Sequence, residues 1–113
     1  QEFVTIINSR GATEAEKVFN SIREQDSTAC FFSEKTMVNF ALEYGPDRAE
    51  ELIILLKMNI QVYPDSIDSF LWLAQAYMAL NDTNEAKKYI DKILQLQPEN
   101  KKANKLLLLL SNS

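Results

Sequence analysis

The chain has 113 residues, with 12 basic against 16 acidic and a formal net charge of −4. That length suits one domain with a single core burying roughly two-thirds of the unfolded surface, and the acidic balance argues against non-specific binding to nucleic acid or to anionic membranes. Two glycines and three prolines among 46% apolar residues point to long regular elements joined by short turns, and so to an all-α protein.

Along the chain, Phe3, Ile6 and Ile7 share one helical face, and Gly11 closes that short helix. Thr13 and Glu16 form a capping box for a second helix, whose Ala15, Val18, Phe19 and Ile22 recur at i, i+3, i+4, i+7. Together they make a first hairpin over about 2–25. Gln25 to Thr28 is polar and reads as a loop. Ser33 is a candidate cap, with Phe32 before it placed to staple onto Met37, and Met37, Phe40, Ala41 and Tyr44 continue as a stripe. Gly45-Pro46 is a stop followed by a start.

The next helix, from about Asp47 to Val62, has Ala49, Leu52, Ile53, Leu56, Ile60 and Tyr63 on one stripe. Ile54, Leu55, Met58 and Val62 lie on its other faces. A helix apolar on several sides must be covered on several sides, which places it between its own partner in a hairpin over 33–63 and the hairpin that follows. Pro64 then precedes a helix that Asp65 or Ser66 can cap, striped by Phe70, Leu73, Ala74 and Tyr77. Asn81 tolerates the left-handed conformation of a helix end. Asp82 and Glu85 read as a second capping box, and Ala86, Ile90, Ile93 and Leu94 face inward until Pro98 stops the helix. The short joint forces an antiparallel hairpin over about 66–97. In the tail, over about 100–111, Lys101, Lys102 and Lys105 precede five leucines, Leu106, Leu107, Leu108, Leu109 and Leu110, which wrap all sides of a helix. One side covers the last hairpin. The other stays wet or meets another domain or a second copy, so a homodimer through these leucines is one expectation.

Catalytic chemistry finds no foothold. Histidine is absent, which removes Ser/His/Asp and Cys/His sets and histidine metal sites. Cys30 alone makes neither an internal disulfide nor a thiolate zinc site, and Gly11 and Gly45 serve as caps, not as a phosphate loop. Glu50/Glu51 and Glu14/Glu16 read as solvated helix surface before they read as acid/base pairs. No catalytic residue, metal or cofactor is assigned. No run of about 20 apolar residues suits a membrane span, and Gln1 in place of methionine points to a fragment or processed form, leaving the compartment open.

The order Phe70, Leu73, Ala74, Tyr77, Ala86, Ile90, Pro98, with Pro64 and Pro98 separated by 34 positions, resembles the tetratricopeptide repeat. Asn81 departs from the family's usual glycine and Ile93 from its usual small residue. The resemblance implies a right-handed superhelix of antiparallel hairpins, three plus a capping helix in one domain over 1–113. Its first helices would line a concave face that holds a protein or peptide partner, or the chain's own upstream domain. Carried over by position, that face takes Lys35, Asn39 and Leu42 from the middle hairpin and Leu71, Trp72, Gln75 and Met78 from the third. Trp72 is equally readable as gap-filling against the preceding hairpin, Leu71 and Met78 as packing, and Asn39 as a buried polar group tied to backbone. Lys35 and Asn39 also resemble the start of the family's carboxylate clamp, but Trp72 stands where the clamp needs its next asparagine.

A second resemblance runs over residues 31–80. Asn39, Ala49, Lys57 to Asn59 and Tyr63 to Ser66 look like the helical region that follows the catalytic domain in bacterial serine hydrolases of β-lactamase-like or esterase-like type. The departures are Phe40-Ala41 and Trp72. This resemblance implies a non-catalytic C-terminal module of bacterial origin, cytoplasmic or, if a signal has been removed, periplasmic or secreted.

Overall fold

The computed structural model describes residues 2–25, 33–44 and 46–111, with side chains described for all of these except residues 2–5, 37, 40–42, 44 and 46. Every described element is a helix: α1 (Glu2–Arg10), α2 (Ala12–Gln25), α3 (Glu34–Tyr44), a 3-10 turn (Pro46–Arg48), α4 (Ala49–Val62), α5 (Ile67–Ala79), α6 (Thr83–Leu96) and α7 (Lys101–Ser111). The expected Asp26 to Thr28 part of the loop, Cys30, Phe32 and the Gly45 stop lie outside the described residues. The Phe3 contact and the Met37, Phe40, Ala41 and Tyr44 stripe lie outside the described side chains.

The helices pack as pairs, α1 with α2, α3 with α4 and α5 with α6, and α7 closes onto α6. Principal extents of 42 × 28 × 20 Å make the molecule about twice as long as it is thick, the shape of stacked hairpins. The expected all-α hairpin fold is thus the observed one. One packing differs from the simplest stack. Beyond its own partner, α2 packs chiefly on α4. Helix α4 is therefore covered by α2, α3 and α5 together, which explains why Leu52, Leu55, Leu56 and Met58 are all buried although they point in different directions.

The α4–α5 and α6–α7 junctions repeat the same backbone hydrogen bonds at the 34-residue period. Tyr63 N–H donates to the Asn59 carbonyl at 2.7 Å, and Gln97 N–H to the Ile93 carbonyl at 2.7 Å. Ser66 then caps α5 by accepting from Ser69 N–H at 3.3 Å, and Asn100 caps α7 by accepting from Ala103 N–H at 2.9 Å. Of the two expected caps for α5, Ser66 is the one used. The other helix starts vary. Asp82 accepts from Glu85 N–H at 3.2 Å, while its own N–H donates to the Tyr77 carbonyl at 2.9 Å. The expected Thr13 cap is displaced, because α2 already begins at Ala12 and the Gly11 carbonyl accepts its first bond, from Ala15 N–H at 3.2 Å.

The α5–α6 turn is a Schellman motif. Asn81 takes the left-handed conformation at φ 61°, its N–H donates to the Met78 carbonyl at 3.0 Å, and Asp82 N–H reaches back to Tyr77. A side chain at that φ costs energy that glycine avoids. Asn81→Gly is therefore expected to raise stability by about 0.5 kcal/mol and Asn81→Val to lower it by about 1–2 kcal/mol, read by urea denaturation. A valine variant as stable as the parent would contradict the motif.

One feature of the interior is polar. Asn59, fully buried on α4, donates through Nδ2 to the Glu34 carbonyl at 3.1 Å and to Ser69 Oγ at 2.7 Å, and Ser66 Oγ donates to Ser69 Oγ at 2.8 Å. The starts of α3 and α5 are thereby clasped to the end of α4. Asn59 Oδ1 is buried and has no hydrogen-bond partner among the described residues.

Candidate protein-binding face

Helices α3 and α5 lie against each other, and the Asn59 clasp fixes their first turns. On α3, Lys35 and Asn39 are both exposed, so Asn39 is a surface residue and the buried-polar reading of it is excluded; Glu43 follows one turn further on and is also exposed. On α5, Asp68, Trp72, Gln75 and Ala79 fall at i, i+4, i+7, i+11, one stripe of a 3.6-residue helix. Asp68, Gln75 and Ala79 are exposed, while Trp72 is partly buried and packs on the core. The exposed positions thus offer a cation and an amide on α3, and the α5 stripe offers a carboxylate, a partly buried indole and an amide.

Two of the residues expected on this face belong elsewhere in part or in whole. Leu71 is 6% exposed and sits in the core, since its position turns toward the neighbouring helices and away from the Asp68 to Ala79 stripe. Met78, partly buried, packs on the core at the margin of that stripe. The side chain of Leu42 lies outside the described ones. Asp68 and Glu43 are exposed here without being among the residues expected on the face. The signal for Asp68 was its place one turn ahead of Trp72, and that for Glu43 its place four residues after Asn39.

Behind α5 lies an aromatic stack that holds the stripe in place. Tyr89 of α6 stacks on Tyr77 at 5.8 Å between ring centroids and 7° between planes, and on Phe70 at 6.1 Å and 26°. Lys57 of α4 lies 5.6 Å from the Tyr77 ring centroid. The Tyr77 hydroxyl beside Lys57 holds its ammonium above the ordinary lysine value, and burial pushes the Tyr89 phenol up. The acid/base alternatives fare less well. Arg48 grips Glu51 through two hydrogen bonds of 3.1 and 2.8 Å and holds its carboxyl below the usual value, the wrong direction for a general acid. Glu14 faces Lys17 at 4.0 Å. Among the described residues no group of three or more His, Cys, Asp or Glu could hold a metal ion, and no helix is long and apolar enough to cross a membrane.

Residues 67–100, which span α5, α6 and the turn into α7, match the family model of the tetratricopeptide repeat. Repeats of this family generally mediate protein–protein interaction and are typically non-catalytic. No curated protein matches the chain.

Proposed function

We infer that the chain is a non-catalytic protein-binding module, one domain of three hairpins and a capping helix, that holds a peptide or a partner's surface against α3 and α5. What supports this reading is the contact of α3 with α5, each carrying exposed polar residues: Lys35 and Asn39 on α3, Asp68 and Gln75 on the α5 stripe of the partly buried Trp72. An indole anchored in the core and framed by hydrogen-bonding groups is the composition of a binding hot spot. An extended peptide can offer its backbone to the amides of Asn39 and Gln75, and its side chains to the two opposite charges. The resemblance over residues 31–80 adds a setting, an accessory module of a bacterial hydrolase-type protein whose partner is the enzyme's own upstream domain. A second reading, bracing of a neighbouring domain or of a dimer through the leucine-rich α7, is favoured by Leu108 and Leu109, which are 62% and 51% exposed.

Peptides selected from a random library on the folded chain test the first reading. Amide shift mapping is expected to show perturbations concentrated at Lys35, Asn39, Asp68, Trp72 and Gln75. The double variant Asn39→Arg/Gln75→Arg is expected to weaken binding at least about tenfold without changing the melting temperature. Perturbations confined to α2, α6 or α7 would rule the face out.

A further inference from the structure

The 34-residue repeat of the junctions sets α7 where α5 stands, one repeat further on. In that register Phe70, Leu71, Ala74 and Tyr77 correspond to Asn104, Lys105, Leu108 and Ser111. The α5 residues are all buried, with Phe70 and Tyr77 stacked on α6. The α7 residues are all exposed. Each of α1, α3 and α5 has a second helix packed against it. Among the described residues nothing packs on the corresponding side of α7.

The chemistry of that side is specific. At about 100° per residue, Lys101, Lys105 and Leu108 fall within one narrow arc opposite the buried Ala103. Two cations therefore precede an apolar step along the same line. No ion pair engages Lys101, Lys102 or Lys105 among the described residues. Residues 86–113 hold six lysines against Asp91 and Glu99, in a chain that is otherwise strongly acidic. Helix α7 itself has no carboxylate, so a second copy packed α7 to α7 would bring lysines to an interface with nothing to neutralise them.

We propose that this side of α7 seats an amphipathic acidic helix of a partner protein, antiparallel to α7 as α6 is to α5. Its apolar N-terminal half rests on Leu108, and carboxylates in its C-terminal half meet Lys101 and Lys105. The positive N-terminal end of α7 adds to the attraction for those carboxylates. This seat is separate from the α3–α5 face, and either can fail without the other.

The probe is a labelled synthetic helix with leucines on one face and glutamates clustered in its C-terminal half, titrated with the full chain by fluorescence anisotropy. Saturable binding is expected, weakened at least about tenfold by Lys101→Glu/Lys105→Glu and by Leu108→Ser. The charge-reversed variant is expected to bind a lysine version of the helix in preference to the glutamate one. The Asn39→Arg/Gln75→Arg variant is expected to bind the helix as the parent does. Since the substituted residues are exposed, circular dichroism melts should stay near the parent's. Absence of binding, indifference to both α7 variants, equal affinity of the parent for the lysine helix, or displacement of the helix by anionic lipid vesicles would each overturn the proposal.

Discussion

Asn59→Ala is expected to destabilise the fold by ~2–4 kcal/mol. The side chain is fully buried, and its removal leaves a cavity and strips a donor from Ser69 Oγ and from the Glu34 carbonyl. The next junction supplies a control from within the molecule, because Ile93 and Ala103 stand where Asn59 and Ser69 stand one repeat earlier, and both are buried. Asn59→Ile/Ser69→Ala copies that apolar pair. It is expected to recover most of the loss, since replacing both partners of a buried polar contact with fitting apolar groups is often neutral. Asn59→Asp separates hydrogen bonding from charge. Burial would raise the folded-state pKa of the new carboxyl, so its penalty is small below the unfolded value of about 3.9 and grows as pH rises. Its deficit against the parent should therefore shrink between pH 7 and pH 4 in urea titrations. An alanine variant within about 0.5 kcal/mol of the parent would show that the clasp is not a stabilising element.

The consequence for the candidate face is direct. Glu34 and Ser69 are chain neighbours of Lys35 and Asp68, so a loosened clasp displaces the first turns of both stripes.

What could be read in the sequence was what local chemistry determines. The Phe70, Leu73, Ala74, Tyr77 stripe, the left-handed Asn81 and the Pro98 stop each act within a few residues, and α5 and α6 follow from them. Junctions were harder. Asn59 lies in an apolar run and offers no periodic signal, and its partners come from two other helices. The packing of α2 on α4 is likewise tertiary, since chain order gives neighbours along the sequence and not the choice between α3 and α4. Gly11 shifted the start of α2 because its positive φ of 88° lets the chain turn early, ahead of the Thr13 cap. On the candidate face, motif position put Leu71 beside Trp72, but one residue is about 100° around a helix, enough to take it from the face into the core.

Tyr89 is the residue on which the third hairpin closes, and Tyr89→Ala is expected to cost ~3–5 kcal/mol. It is 5% exposed and bridges Phe70 and Tyr77, so one truncation removes two ring contacts and opens a cavity between α5 and α6. In the sequence Tyr89 stands three residues after Ala86 on the same side, but the inward stripe expected there runs through Ile90 and Ile93. Tyr89→Phe keeps the rings and removes only the hydroxyl, and is expected to stay within about 1 kcal/mol of the parent at pH 7. Alkaline titration then distinguishes the two contributions. Tyr89 and Lys57 both have folded-state pKa values raised above their ordinary 10.0 and 10.5. A raised value means that the folded state holds its proton more tightly, so the stabilisation is complete below pH 10 and is lost as pH climbs through the folded values. The parent should therefore weaken steeply above pH 10, and Tyr89→Phe should weaken less, because the raised Tyr89 phenol no longer contributes to the loss while the raised Lys57 ammonium still does. If the phenylalanine variant declined as steeply as the parent, the buried Tyr89 hydroxyl would have no part in the alkaline loss. If the alanine variant melted with the parent, α5 and α6 would have to be held together chiefly by the aliphatic contacts of Leu73, Ala86 and Ile90.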